Sequence, residues 1–145
     1  AKRWPADRYG AVARRLADAG YEVVINGAPA EEHLGDEIVE TSGGAARAMM
    51  LDLPGLIAVA RRAVLVIAGD TGPLHLACAL DRPVVGIFGP TDPARNGPFH
   101  CRSRVLRNPG SVRDHSRRSE PEAGLLTITP TDVADAALEL LQEER

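Results

Sequence analysis

Lysine and aromatic residues are scarce in this sequence. Only 3% of its 145 residues are aromatic, so a hydrophobic core has to be built from aliphatic side chains. Lys2 is the only lysine among 17 basic residues, and the formal net charge is −3. A mildly acidic chain lacks the basic surface that nucleic-acid binding needs, so we expect no nucleic-acid partner.

Cysteine is also rare, and no long apolar run occurs. The two cysteines, Cys78 and Cys101, are too far apart for a Cys-x-x-Cys site, and so few cysteines fit a reducing cytoplasm. The apolar runs fall short of the roughly 18 residues that a membrane-spanning helix needs, and we find no signal-peptide pattern. We therefore expect a cytoplasmic protein without a membrane span.

Several common catalytic motifs are missing as well. No G-x-G-x-x-G follows a predicted strand, which disfavours a dinucleotide-dependent dehydrogenase. The P-loop pattern G-x-x-x-x-G-K-[ST] and the hydrolase pattern G-x-S-x-G do not occur either. The four histidines show no metal-ligand spacing. We expect neither a bound metal nor a cofactor.

Helical and strand patterns alternate along the chain. Helices are predicted over 5–19 and 31–41, after the capping residue Asp52, over 73–80, and after the capping residue Thr129. Strands are predicted over 21–26, 48–51, 63–68, 83–88 and 103–107, whereas 108–124 is polar and irregular. This alternation is typical of one α/β domain with a mainly parallel sheet. Because the chain opens on a helix, we expect the first strand of the domain to be missing.

Loops rich in glycine, proline, aspartate and threonine follow the predicted strands. Ligands bind beyond the carboxyl ends of the strands in such sheets. In "AGDTGPLH" (68–75), Gly69 and Gly72 permit a sharp turn, and Pro73 favours the first turn of the next helix. Exposed amides at a helix start attract anions, so this loop is a candidate anion site.

The side chains of the same loop allow two interpretations. Asp70 and Thr71 can fix a ligand-binding turn with His75 beside it, or they can serve only as a cap while His75 packs. A second loop of this kind, "FGPTDPARNGP" (88–98), follows the next predicted strand. Two such loops on consecutive strands favour a binding site over turn formation alone.

The stretch "GDTGPLHLACALDRPVVGIFGPTDPARNGP" (69–98) resembles the signature of the lipopolysaccharide heptosyltransferases, the ADP-heptose transferases of glycosyltransferase family 9. The shared pattern is D-T-G-x-x-H-x-x-x-A, a strand that begins with proline, F-G-x-T-D-P and G-P. "AKRWP" at the start resembles the family's K-x-W-P segment, and "NGAPAEE" resembles its loop after the second strand. The resemblance covers most of the chain.

This resemblance implies half of a two-domain enzyme of the GT-B type. The chain (1–145) would be the Rossmann-like C-terminal domain, with helices on both faces of its sheet, that binds the nucleotide-sugar donor. The N-terminal acceptor domain would be missing, and with it the aspartate that serves as catalytic base. The implied reaction transfers heptose from ADP-heptose to the lipopolysaccharide inner core with inversion, and this chain alone would be inactive. The fold needs no bound metal for this reaction.

Four residues match the family's diphosphate-binding positions. Lys2 matches a lysine that meets the donor phosphates, Thr71 and Gly72 match the diphosphate-binding turn, and His75 completes that motif. A cation and the amides of a helix start both suit a diphosphate.

Three further residues match positions around the nucleoside and the sugar. Glu31 matches an acid that binds the ribose hydroxyls, and Asp70 matches an acid near the heptose. Carboxylates suit hydroxyl groups because they accept hydrogen bonds. Leu51 falls where the family's backbone meets the adenine.

The sequence departs from the family after the G-P pair. Six arginines lie between residues 102 and 118, and they can face acidic core phosphates or line a solvated loop. This segment leaves the subfamily and the exact sugar open. The alternatives are a GT-B enzyme with another nucleotide-sugar and a nucleotide-binding module without activity. The expected partners are ADP-heptose and the lipopolysaccharide core, with peripheral contact at the cytoplasmic face of the inner membrane.

Overall fold

A computed structural model describes residues 4–27, 32–69, 72–88, 101–106 and 123–143. The helices are α1 (Ala6–Asp18), α2 (Glu32–Thr41), α3 (Leu53–Arg62), α4 (Gly72–Ala79), α5 (Ala123–Leu126) and α6 (Pro130–Glu143). The strands are β1 (Val23–Asn26), β2 (Ala46–Met49), β3 (Val66–Gly69), β4 (Val84–Ile87) and β5 (Ser103–Leu106). The described elements follow the predicted order, although β2 begins two residues before its predicted start, β3 begins three residues after its predicted start, and α5 begins inside the segment predicted to be irregular. None of the described helices has the length and apolar character needed to cross a membrane.

The chain forms two compact units. The first unit comprises residues 5–58, and the second comprises residues 1–4 and 59–145, so the boundary lies inside α3. The first unit contains a parallel pair of strands, β1 and β2, in which Val23 is opposite Ala46 and Asn26 is opposite Met49. The second unit contains a parallel sheet in the order β3–β4–β5.

The first unit depends on close packing between α1 and α2. Val12, Ala13 and Leu16 form the buried face of α1, at the spacing that the sequence predicts. A side chain at Gly10 would overlap the neighbouring helix, because its Cβ atom would lie 1.8 Å from Thr41 Oγ1. Gly10 is therefore required for this helix contact rather than for an unusual backbone conformation.

A buried serine connects α2 to β2 in the first unit. Ser42 is 1% exposed, and its Oγ donates a hydrogen bond to the Val39 carbonyl at 2.6 Å. The same oxygen accepts a hydrogen bond from the Ala46 amide at 3.1 Å, at the first residue of β2. The hydroxyl thus has both a donor and an acceptor, as a buried polar group needs.

The core of the second unit surrounds β4. Every residue of this strand is buried, which shows that both of its faces are covered, as expected for a strand inside a parallel sheet. Helix α4 packs against β3 and β4 through Leu74 and Ala77, and α6 packs against β4 and β5. The buried residues of α6 form the predicted apolar face and include Val133 and Leu140.

Both ends of the described chain contribute to the second unit. Trp4 is 1% exposed, and its Nε1 donates a hydrogen bond to the Ile128 carbonyl at 3.0 Å.

The start of α6 has the predicted reciprocal cap. The Thr129 amide donates to Asp132 Oδ2 at 3.0 Å, and the Asp132 amide donates to Thr129 Oγ1 at 3.1 Å.

A disulfide joins Cys78 of α4 to Cys101, which lies two residues before the start of β5. The two Cα atoms are 5.3 Å apart, although the residues are separated by 23 positions in the sequence. This pairing was not predicted, and it departs from the expectation that the two cysteines fit a reducing cytoplasm. Only the placement of α4 beside the sheet brings the two cysteines together, so their linear spacing carried no signal for it.

Candidate functional site

The segment after β2 is held in place by a side chain at the end of β1. The Leu51 amide donates a hydrogen bond to Asn26 Oδ1 at 3.2 Å. Asn26 is opposite Met49 in the strand pairing, so its side chain reaches two residues beyond its partner. The carboxamide thereby continues the strand pairing after the backbone of β1 has ended.

The same segment is also fixed on the side of α3. Asp52 Oδ1 accepts a hydrogen bond from the Gly55 amide at 2.9 Å, which confirms the predicted cap of this helix. A Cβ atom at Gly55 would lie 3.3 Å from Leu51 Cβ, and one at Gly35 would lie 3.1 Å from Met50 Cε. Two helix glycines therefore give Met50 and Leu51 room to pack, and the backbone at Leu51 is ordered in advance of any ligand.

In the second unit, the candidate site is the start of α4, directly beyond the carboxyl end of β3. Gly72 is the first residue of the helix and is exposed, and a Cβ atom there would meet no described atom within 4 Å. His75 lies on the first turn and is exposed, whereas Leu74 is fully buried. The buried leucine anchors the helix, and its first turn remains accessible.

Gly72 was expected to permit a sharp turn, and the structure shows that it does not serve this purpose. Among the described glycines, those with a positive φ angle are Gly20, Gly43 and Gly44. Gly72 has an ordinary helical position, so the helix start does not need its conformational freedom. What the missing side chain provides is open space beside the first amides of α4.

The seven predicted site residues are covered unevenly by the structure. Lys2, Glu31, Asp70 and Thr71 lie outside the described residues. The remaining three divide between the units: Leu51 belongs to the first, and Gly72 and His75 share the first turn of α4 in the second. 

The hydrogen bond from the Leu51 amide to Asn26 was not predicted from the sequence. The only local signal was an asparagine followed by glycine at the end of a predicted strand, and this signal does not name the amide that the side chain binds.

A cavity of about 250 Å³ in the second unit lies at the amino ends of the strands, whereas the candidate site lies beyond the carboxyl end of β3. Its lining residues precede the strands of the sheet and are Val64, Asp81, Arg82, Pro83 and Arg102. Ligands of open parallel sheets bind at the opposite, carboxyl ends of the strands. Arg102 is also paired with Glu143 at 2.7 Å. We therefore assign no ligand to this cavity.

The described residues contain no group of three or more histidine, cysteine, aspartate or glutamate side chains placed to hold a metal ion. Among the described residues, the groups at the strand ends include backbone amides and carbonyls and the exposed His75. Such groups suit a polar, anionic organic ligand.

Comparison with known proteins identifies the family. Residues 1–125 match the profile described as glycosyltransferase family 9 (heptosyltransferase). Lipopolysaccharide heptosyltransferase 2 of Salmonella typhimurium is 32% identical over 153 aligned positions, which cover 99% of this chain and 44% of that protein. Lipopolysaccharide heptosyltransferase 1 of Escherichia coli K12 is 34% identical over 109 positions, which cover 74% of this chain and 34% of that protein. The chain therefore spans less than half the length of these relatives.

Solved structures agree with the sequence comparison. ADP-heptose lipopolysaccharide heptosyltransferase II of E. coli superposes with a TM-score of 0.86 at 30% identity, over 99% of this chain and 43% of that one. The E. coli heptosyltransferase WaaC with ADP gives a TM-score of 0.79 at 30% identity, over 96% and 40% of the respective chains. These matches confirm the predicted α/β fold and its relation to the GT-B enzymes. The chain belongs to glycosyltransferase family 9, the heptosyltransferases.

Proposed function

We propose that this chain is the donor-binding domain of an inverting transferase that moves heptose from ADP-heptose to the lipopolysaccharide inner core. The observation that supports this proposal best is the accessible start of α4, directly beyond β3. Gly72 leaves space beside the first helical amides, and the helix dipole favours a negative charge there. In the same family, WaaC has been solved with ADP and with ADP-2-deoxy-2-fluoro heptose.

The diphosphate is assigned to the second unit. The amides at Thr71 and Gly72 and the imidazole of His75 receive its oxygens, and Lys2 supplies a cation. The lysine lies two residues before Trp4, whose indole is anchored in this unit. Charge on the departing ADP rises during transfer, so these donors lower the barrier electrostatically.

The nucleoside and the sugar complete the assignment. The backbone at Leu51, fixed by Asn26 and Asp52, meets the adenine. Glu31 accepts hydrogen bonds from the ribose hydroxyls, and Asp70 accepts them from the heptose. No residue of this chain acts as the catalytic base.

The rest of the reaction belongs to a part of the protein beyond this chain. We assign the acceptor, the catalytic aspartate and the first strand of the donor domain to it, in keeping with relatives more than twice as long. The lipopolysaccharide core then contacts the protein through that part, at the cytoplasmic face of the inner membrane. Incubated alone with ADP-heptose and truncated lipopolysaccharide, this chain should release no ADP above background. Steady release would contradict the assignment of the acceptor and the catalytic aspartate to another part of the protein.

A nucleotide panel tests the donor class. Calorimetry should give a lower Kd for ADP than for UDP or GDP, and the full-length enzyme should then consume ADP-heptose. A preference for UDP or GDP would indicate a GT-B transferase with another donor. Binding of ADP without turnover by the full-length protein would indicate a nucleotide-binding module.

A lysine variant tests the diphosphate assignment. Lys2→Ala should weaken ADP binding by about 2 kcal/mol, as expected for a charge-assisted contact, and should weaken AMP binding less. Equal losses for ADP and AMP would count against a phosphate contact.

A further inference from the structure

The hydrogen bond between Asn26 and Leu51 occupies a group that a nucleotide base could otherwise use. Asn26 is the last residue of β1, and both residues are half-buried. Its Oδ1 accepts the Leu51 N–H at 3.2 Å. At Leu51, the backbone group left for a ligand is then the carbonyl oxygen, which only accepts hydrogen bonds.

The position of that carbonyl is fixed by the surroundings of Leu51. Asp52, the next residue, is held at the start of α3 by the bond from the Gly55 amide, and the Leu56 amide donates to the Asp52 carbonyl at 2.9 Å. The Leu51 side chain packs over the space left by Gly55. The backbone is thus held on both sides of this carbonyl, by the bond to the Leu51 N–H and by the bonds to Asp52.

We infer that Asn26 is a positioning residue that sets the base preference of the donor site. By occupying the Leu51 N–H, it leaves the Leu51 carbonyl to accept a hydrogen bond from an exocyclic amino group. The Leu51 carbonyl therefore selects a 6-aminopurine. It disfavours a 6-oxopurine, because the 6-oxo group would face the Leu51 carbonyl without a proton between the two oxygens. The inference rests on the proposed function, which puts the base at Leu51.

A comparison of ADP with inosine diphosphate tests this inference. The two nucleotides share the ribose and the diphosphate and differ at the 6-position and in the protonation of N1. The wild-type protein should bind ADP at least about tenfold more tightly, the effect of one hydrogen bond replaced by an unpaired contact. In Asn26→Leu, the freed Leu51 N–H can donate to the 6-oxo group, so the ratio of the two Kd values should fall to within about threefold.

Asn26→Asp is the matched control. Aspartate keeps an oxygen acceptor at the same reach, so the Leu51 N–H stays occupied and the ratio should stay near the wild-type value. Any effect of the added charge on the shared diphosphate cancels in the ratio. A purely structural role of Asn26 would lower both affinities equally, and this outcome would overturn the inference.

Two further outcomes are decisive. Equal binding of ADP and inosine diphosphate by the wild type would overturn the inference while leaving the proposed function intact, whereas binding of neither would refute the proposed function itself. Amide hydrogen exchange at Leu51 in the wild type needs no variant and serves if Asn26→Leu fails to fold. Slow exchange is expected, and exchange at the rate of a free peptide would overturn the inference.

Discussion

The two units hold their strand-end segments by different means. In the first unit, side chains bind backbone amides: Asn26 holds Leu51, and Asp52 holds Gly55. In the second unit, buried apolar contacts and a disulfide hold α4, through Leu74 and Cys78. Polar bonds fix the orientation of individual peptide groups, which suits the proposed contact with a base. Apolar packing fixes a whole helix, whose amides already point in one direction, which suits the proposed contact with an anion.

The largest effect should follow from loss of the apolar anchor of α4. Leu74 is fully buried in a cluster with Val84 and Phe88. Leu74→Ala should lower the free energy of unfolding by about 4 kcal/mol, because it removes buried surface and leaves a cavity. Chemical denaturation measures the loss, and Leu76→Ala on the same helix, where the leucine is only partly buried, is the control. Equal losses in the two variants would show that α4 is not anchored by Leu74.

Reduction of the disulfide should have the next largest effect, confined to the second unit. The bond closes a loop across 23 sequence positions, for which the entropy of the unfolded chain predicts about 3 kcal/mol of stabilisation. Cys78→Ala with Cys101→Ala should therefore lower the melting temperature, and a reducing agent should lower that of the wild type but not that of the double variant. A reducing agent that acts equally on both proteins would rule out a contribution from this bond.

Gly10→Ala tests the helix contact of the first unit. Its Cβ atom would overlap Thr41 Oγ1, and the helices must separate to admit it. We expect a loss of about 2 kcal/mol in the free energy of unfolding, in the usual range for overpacking. Adding Thr41→Ala to Gly10→Ala should recover part of this loss. No recovery would show that the Thr41 hydroxyl is not the source of the cost, because the Thr41 Cβ atom and the Ile38 carbonyl remain in the double variant.

The smallest effects should come from the exposed ion pairs, of which that of Glu143 in the second unit should matter more. Hydrogen bonds from Arg102 and then Arg104 lower the pKa of Glu143. This depressed pKa contributes stability above the pKa of the unfolded chain, and the contribution is lost as the pH falls through the folded value. Glu143→Gln should lower the melting temperature slightly at pH 7 and not at all in acid. Glu22→Gln, which breaks the more exposed pair with Arg47, should do less.

Local features of this fold could be predicted from the sequence, whereas contacts between distant segments could not. The caps at Asp52 and Thr129 depend on residues within three positions, so their patterns are visible in the sequence. The packing of Gly10 on Thr41 joins segments that only the folded chain brings together.

The same limit applied to the candidate site. The placement of Gly72 and His75 on the first turn of one helix could be predicted because one short motif contains both. The bond from Asn26 to Leu51 spans 25 positions and depends on the register of β1 with β2. A sequence motif shows residues that are close along the chain, but it does not show which side chain of another strand binds their backbone.

The hydrogen bond between Trp4 and Ile128 has a consequence for the order of folding during synthesis. It spans 124 positions, so the second unit draws on residues from both ends of the chain. Residues 5–58 form the first unit from one continuous stretch, so the partners for its internal contacts are all present once these residues leave the ribosome. Trp4 leaves the ribosome earlier still, yet its partner Ile128 is made 124 residues later. The hydrogen bond of this indole therefore cannot form until Ile128 has been translated.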